Sequence, residues 1–244
     1  MLMEKHAAFE QEANRAAEFA PALSLASLFQ AQPADLVPAG KALFWEGDPA
    51  NHLFELTEGV IRLYRIIGEG RRVITAFLFP GDLVGASLQD RYLYTAEAVT
   101  DCRLRRIGRK VFHEEVSRNP GLRPDLIALL CAEMAAAHDQ MVLLSKKNAE
   151  ERLCSFLLNL MNRNGGNGPE GNLVALAMSR LDIADYLGLT IETVSRTITK
   201  LANRGVLAPV GRHEIRILQP RRLTQLSGDG RDFCEQEGVK ASLH

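Results

Sequence analysis

The chain has 244 residues, 46% hydrophobic and 24% charged, with a formal net charge of −1, the balance of a globular protein with one large or two modest domains. No apolar run approaches the length of a membrane span, and the opening stretch, with Glu4, Glu10, Glu12 and Glu18, lacks a signal-peptide core, so a cytoplasmic location is expected. Cys102, Cys131, Cys154 and Cys234 form no CxxC pair, the six histidines have no metal-ligand spacing, and neither a Gly-x-Ser-x-Gly elbow nor a Walker loop occurs; disulfide scaffold, metal centre and enzyme are all disfavoured.

Residues 1–30 are Ala/Glu-rich and read as a helical lead-in. From 31 to 117 short apolar runs alternate with glycine turns. The expected strands are Ala42–Trp45, Leu53–Leu56, Val60–Arg65, Val73–Phe79, Thr95–Val99 and Cys102–Ile107, with Gly68-Glu69-Gly70 and Pro80-Gly81-Asp82 as turns. Regular short strands with no intervening helices predict a small β-barrel or jelly roll.

Over 118–147 the period changes. Ile127, Leu130, Met134, Ala137, Met141 and Leu144 recur at spacings of three and four, a heptad seam. It predicts a long helix whose partner is a second copy of the chain, a two-fold homodimer, with Asn148 extending the seam as a polar position. A second helix from Glu150 to about Asn162 buries Leu153, Phe156, Leu157 and Leu160, and the Gly-rich stretch from Asn164 to Gly171 separates it from the C-terminal segment.

Within 148–223 the local signals are dense. Ser179-Arg180-Leu181-Asp182 forms a capping box, Ile183, Ala184 and Leu187 an apolar face, Gly188 a helix stop and Thr190 the N-cap of the next helix. That helix is expected to bury Ile191, Val194, Ile198 and Leu201 and to stop at Gly205. Val206 to Ile217 alternates about Gly211, a hairpin. The whole is a winged helix-turn-helix, a DNA-binding unit. Glu192, Ser195 and Arg196 stand at i, i+3 and i+4, on one side of the second helix. A carboxylate accepts from the cytosine amino group, a guanidinium forks onto guanine, and a hydroxyl serves either. Thr190, Thr193, Lys200 and Arg212 complete the expected DNA-binding set. Seven Lys/Arg and one acid, Glu214, lie between Arg196 and Arg222, a phosphate-contact footprint in a near-neutral chain. Residues 224–244 read as a flexible tail. The fold class is therefore α+β, in the order β-barrel or jelly roll, long dimerisation helix, winged helix-turn-helix.

Leu53-Phe54-Glu55-Leu56-Thr57-Glu58-Gly59, Phe79-Pro80-Gly81-Asp82-Leu83-Val84-Gly85 and the E-x-x-S-R pattern of Glu192-Thr193-Val194-Ser195-Arg196 resemble the CRP/FNR family of bacterial transcription regulators. The likeness spans roughly residues 30–223, and the last pattern matches its FNR and FixK branches. The resemblance implies a cyclic-nucleotide-binding-like barrel, a homodimer, RNA polymerase as partner, and a TTG…CAA-type palindrome read by Glu192 and Arg196, with Ser195 on the outer thymine. The Arg-Ser pair with which nucleotide-binding members hold phosphate has no counterpart near Arg91-Tyr92-Leu93-Tyr94-Thr95-Ala96, and no cysteine precedes Cys102, whereas cluster-holding members use N-terminal cysteines. The redox-reactive cysteine of some FixK-like members has Ser179 in its place. What remains looks like FixK: an activator with no bound cofactor or metal, working in the response to oxygen limitation. Two rivals are weaker: a haem-based nitric-oxide sensor with His52 or His113 as axial ligand, and a small-molecule-binding barrel or cupin-type enzyme, for which the strands lack clustered His and Glu.

Overall fold

The structure is a computed structural model that describes residues 24–86, 89–163 and 172–228. Most of the expected lead-in, the Gly-rich stretch 164–171, Cys234 and residues 229–244 of the expected tail lie outside these residues; the start of that tail is not loose, since residues 224–226 close the last helix and Ser227 is buried behind them.

After a single turn of helix, α1 (Ser27–Gln30), come eight strands: β1 (Ala34–Val37), β2 (Ala42–Phe44), β3 (His52–Glu58), β4 (Ile61–Ile66), β5 (Arg72–Leu78), β6 (Leu83–Val84), β7 (Thr95–Ala98) and β8 (Cys102–Gly108). They form two four-stranded antiparallel sheets, β1-β8-β3-β6 and β2-β7-β4-β5, a jelly-roll-like sandwich. Alternation sends Leu56 and Leu104 from one sheet, and Ile61, Leu63, Ala96 and Ala98 from the other, into a shared core. Phe44 stacks on Tyr92 there, with ring centroids 3.5 Å apart. Gly59 is a turn residue that tolerates no replacement: at φ 92° an added Cβ would lie 2.4 Å from the Asp101 carbonyl oxygen. Each expected strand is present. Strands β1 and β6, and the helix α2 (Arg109–Arg118), were not anticipated; α2 buries only Phe112 and Val116, at i and i+4.

The long helix, α3, runs from Arg123 to Lys146. Asn148 does not extend its seam. It sits between helices, where its Oδ1 accepts from the Glu150 and Glu151 backbone N–H groups at 3.0 and 3.1 Å and so caps α4 (Ala149–Arg163). Leu153, Phe156, Leu157 and Leu160 of α4 are buried as expected.

The C-terminal unit comprises β9 (Leu173–Ala175), α5 (Arg180–Leu187), α6 (Ile191–Asn203), β10 (Leu207–Val210), β11 (Glu214–Ile217) and α7 (Pro220–Leu226). The hairpin β10–β11 turns at Gly211, φ 70°, and β9 adds a third strand on the far side of β11. One apolar core joins this unit to the outer face of the second sheet: Tyr64, Ile74 and Phe77 pack with Phe156 and Leu187. Tyr186 bridges them, 5.3 Å from the Phe77 ring and 5.6 Å from that of Phe156.

Candidate DNA-binding site

The turn between α5 and α6 is built by local chemistry. The Ser179 hydroxyl accepts from the Asp182 N–H at 3.1 Å while the Asp182 carboxylate accepts from the Ser179 N–H at 3.0 Å, so two of the free N–H groups at the helix start are satisfied reciprocally. Gly188 ends α5 at φ 62°, a left-handed conformation available to glycine at little cost. The Thr190 hydroxyl then accepts from the Thr193 N–H at 3.2 Å and contacts its hydroxyl at 3.0 Å. Both threonines are thus engaged in starting the helix.

Val194, Thr197, Ile198 and Leu201 form the buried face of α6. Ile191 does not belong to it: it is the first helical residue and is 39% exposed. The opposite face points away from the protein. Glu192, Ser195 and Arg196 are exposed, and among the described residues the Glu192 and Arg196 side chains have no hydrogen-bonding or ion-pair partner. Ser195 and Arg196 share an open concavity of about 530 Å³ with Thr199, Lys200, Asn203 and Arg204. Lys200 is not free on this face. Its ammonium and the Arg204 guanidinium both bond the Glu150 carboxylate of α4, and these hydrogen bonds, Lys200's first, hold that carboxyl below its ordinary range. Arg212 stands exposed on the hairpin turn.

A second group of charges joins the sandwich to α5. The Asp182 side chain, 5% exposed, receives Arg62 of β4 at 2.9 Å and Arg72 of β5 at 2.7 Å on one oxygen, while Ser179 occupies the other. Arg72 also bonds Asp185 at 2.8 Å. Arg62 reaches Glu97 of β7, whose other oxygen accepts from the Tyr64 hydroxyl at 3.0 Å. Burial, and then the bond to Glu97, raises the Tyr64 pKa. The same acid, Asp182, therefore caps the first helix of the helix-turn-helix and anchors it to the strands.

The expected seam lies on α3, and its residues share one side. Ile127, Met134 and Met141 are 61, 60 and 61% exposed; Ala137 and Leu144 are exposed and Leu130 half-buried. Only Leu143 of this 24-residue helix is buried. The expectation that no segment has the make-up of a membrane span needs correction: residues 120–146 are helical, and an 18-residue window of them has mean hydropathy 1.4. Sequence inspection missed it because Glu133, His138 and Asp139 interrupt the run. Those same groups are costly in hydrocarbon, and the helix is tied to the rest of the protein at Gln140, whose amide donates to the Tyr186 carbonyl at 2.8 Å.

Residues 151–226 match the Crp-like helix-turn-helix domain and residues 35–119 the cyclic nucleotide-binding domain. The nitrogen fixation regulation protein FixK of Azorhizobium caulinodans is 42% identical over 188 residues, 73% of this chain and 76% of that protein. The chain belongs to the CRP/FNR family. Among the family's proteins, the anaerobic regulatory protein of Pasteurella multocida is 36% identical over 194 residues, 79% of this chain and 71% of its own. The solved structure of FixK2 from Bradyrhizobium japonicum superposes with a TM-score of 0.76 at 33% identity, covering 80% of this chain and 96% of that one. The chain is a FixK-like transcription regulator of the CRP/FNR family with a helix-turn-helix DNA-binding domain.

In this CRP/FNR protein the sandwich interior carries aromatic rings. Tyr92 is buried on Phe44, and burial pushes the Tyr94 hydroxyl up to about 12. Arg91 turns outward, its guanidinium donating to the Gly47 carbonyl at 2.6 Å. The two histidines raised as haem ligands lie on different elements: His52 at the start of β3, 6.3 Å from the Phe54 ring, and His113 on α2, edge-on to Phe112. Among the described residues no three His, Cys, Asp or Glu cluster as a metal site. Cys102 and Cys154 are buried, and burial pushes the Cys154 thiol up to about 12; Cys131 is exposed on α3. Sequence reasoning missed Glu150, Arg62 and Arg72. Glu150 carried a signal as an acid in a first helical turn, but the two arginines meet an aspartate more than a hundred residues away.

Proposed function

We propose that this protein is a homodimeric transcription activator that binds a TTG…CAA-type palindrome with no bound cofactor or metal and acts with RNA polymerase in the response to oxygen limitation. The observation that carries the reading is the outward face of α6, where Glu192, Ser195 and Arg196 stand together, the acid and the arginine without partners in the described residues. Arg196 forks onto guanine, Glu192 accepts from the paired cytosine and Ser195 meets the outer thymine. Thr190 and Thr193 at the helix start, Lys200 further along it and Arg212 on the wing take phosphates. Dimerisation through Ile127, Leu130, Met134, Ala137, Met141 and Leu144 of α3 sets the two reading helices about one turn of DNA apart, roughly 34 Å. The chain divides at 31–117, 118–147 and 148–223, and its place of action is the cytoplasm. Phe44 and Tyr92, stacked inside the sandwich, support a domain that needs no nucleotide. A gel shift of purified protein, without nucleotide, haem or iron, tests the reading. A duplex with the palindrome shifts and a scrambled duplex of equal length does not, with affinity unchanged by cyclic AMP or air. Binding that requires an added nucleotide, haem or cluster overturns it.

A further inference from the structure

The carboxylate of Glu150 lies beside the DNA-facing concavity, not within a remote structural contact. Arg196, Lys200 and Arg204 succeed one another at four-residue spacing along α6 and its end, and all three line that concavity. Two of the three cations are tied to Glu150, whose side chain is only 17% exposed. Its position is fixed from behind, since its N–H is held by the Asn148 cap and it sits in the first turn of α4, where the helix dipole favours an anion. Arg196, one turn earlier, carries no such partner among the described residues.

We propose that Glu150 restrains non-specific DNA attachment: it cancels one of the two positive charges that Lys200 and Arg204 bring to the DNA surface, limiting attachment to arbitrary phosphates while the base-reading side chains stay free. This rests on the assignment of α6 as the reading helix. Phosphate contact is the sequence-independent part of DNA affinity, and each phosphate neutralised adds about 0.9 to the slope of log affinity against log salt. Removing the Glu150 charge frees one cation per protomer and two per dimer.

The test uses the full-length protein and two duplexes of equal length, one with the palindrome and one scrambled. Wild-type discrimination is read first; its absence fails the operator assignment. With discrimination present, Glu150→Gln steepens the salt slope on the scrambled duplex by about 1.8, so the loss of affinity between about 50 and about 200 mM salt grows roughly twelvefold. Affinity for the scrambled duplex rises at low salt. Glu150→Gln combined with Lys200→Gln returns the slope to the wild-type value, and Lys200→Gln alone makes it shallower. A purely structural contact between α4 and α6 shifts the melting temperature and leaves all these slopes alone. An unchanged slope, or one that Lys200→Gln does not restore, overturns the proposal, as does a Glu150→Gln protein that melts like wild type yet loses palindrome affinity, which makes Glu150 a group that presents the cations instead of restraining them.

Discussion

Two kinds of face on the same molecule treat their chemistry in opposite ways. Where the second sheet meets α5, Arg62, Arg72, Asp182, Asp185 and Glu97 are mutually bonded, and the aspartate at the centre is nearly inaccessible. Along α3, and on the outer side of α6, side chains of equal potential are left open: Ile127, Met134 and Met141 on the first, Glu192 and Arg196 on the second. The closed face uses its interactions to fix one domain on another. The open faces leave theirs exposed, apolar surface on one and charge on the other, and under the proposed function these meet a second copy and DNA. A lesion in the closed face should therefore be read in stability, and a lesion in an open face in association.

The largest effect is expected at the closed face. Asp182→Ala strips two mostly buried arginines of a shared partner and removes half of the capping box, and should cost about 3–5 kcal/mol of folding stability, measured by chemical denaturation. A loss below about 1 kcal/mol would mean that the bridges are solvated in solution and that the contrast between the faces is overdrawn. Next, Ile127→Asp on α3 should leave the protomer folded but place an unpaired charge in the proposed seam; light scattering should report a monomer at micromolar concentration, and palindrome affinity should fall with it. A variant that stays dimeric locates the interface elsewhere. Arg196→Ala should leave melting temperature and dimer intact and cost about 1–3 kcal/mol of discrimination per half-site; full retention of preference for TTG over a changed base would sink the role given to it.

The smallest effect separates the faces by pH. The Glu150 carboxyl is held low in the folded protein by Lys200 and then Arg204. A depressed carboxyl stabilises above its unfolded value of about 4.3 and loses that contribution as pH falls through its lower folded value. The acid limb of the stability profile should accordingly flatten in Glu150→Gln, whereas Arg196→Ala should trace the wild-type limb. If the two variants coincide, Lys200 and Arg204 do not hold the carboxylate in solution.

How much of the molecule could be read without a structure depends on the range of the interactions. The helix-turn-helix was legible because its signals are local: Ser179 with Asp182, Gly188 and Thr190 lie within a dozen residues. The longer strands showed through alternation. β1, β6 and β9 did not, being four, two and three residues long and defined by distant partners such as Arg105, Phe54 and Ile215. Pro220 at the first turn of α7, with Leu223 buried behind it, was a usable helix signal that went unread. Ile191 was misplaced because helical periodicity gives a direction but not whether the first turn is covered. Of the candidate site, Glu192, Ser195 and Arg196 were expected to share a face, and all three are exposed on α6. The ion pairs of Lys200 were invisible, since nothing near position 200 points to position 150.

One guanidinium governs the joint between the long helix and the DNA-binding unit. Arg152 donates to the Leu144 carbonyl at 2.9 Å, the Lys147 carbonyl at 2.8 Å and the Leu187 carbonyl at 2.8 Å, which are backbone acceptors at the ends of α3 and α5 that no helical N–H can reach. A joint between two helices is where a chain ordinarily bends, because its unpaired carbonyls turn to water with little resistance. Here they converge on a single rigid fork, so bending would release several acceptors at once. In mechanical terms the joint is a braced elbow, which can open only by breaking the hydrogen bonds that Arg152 makes across it.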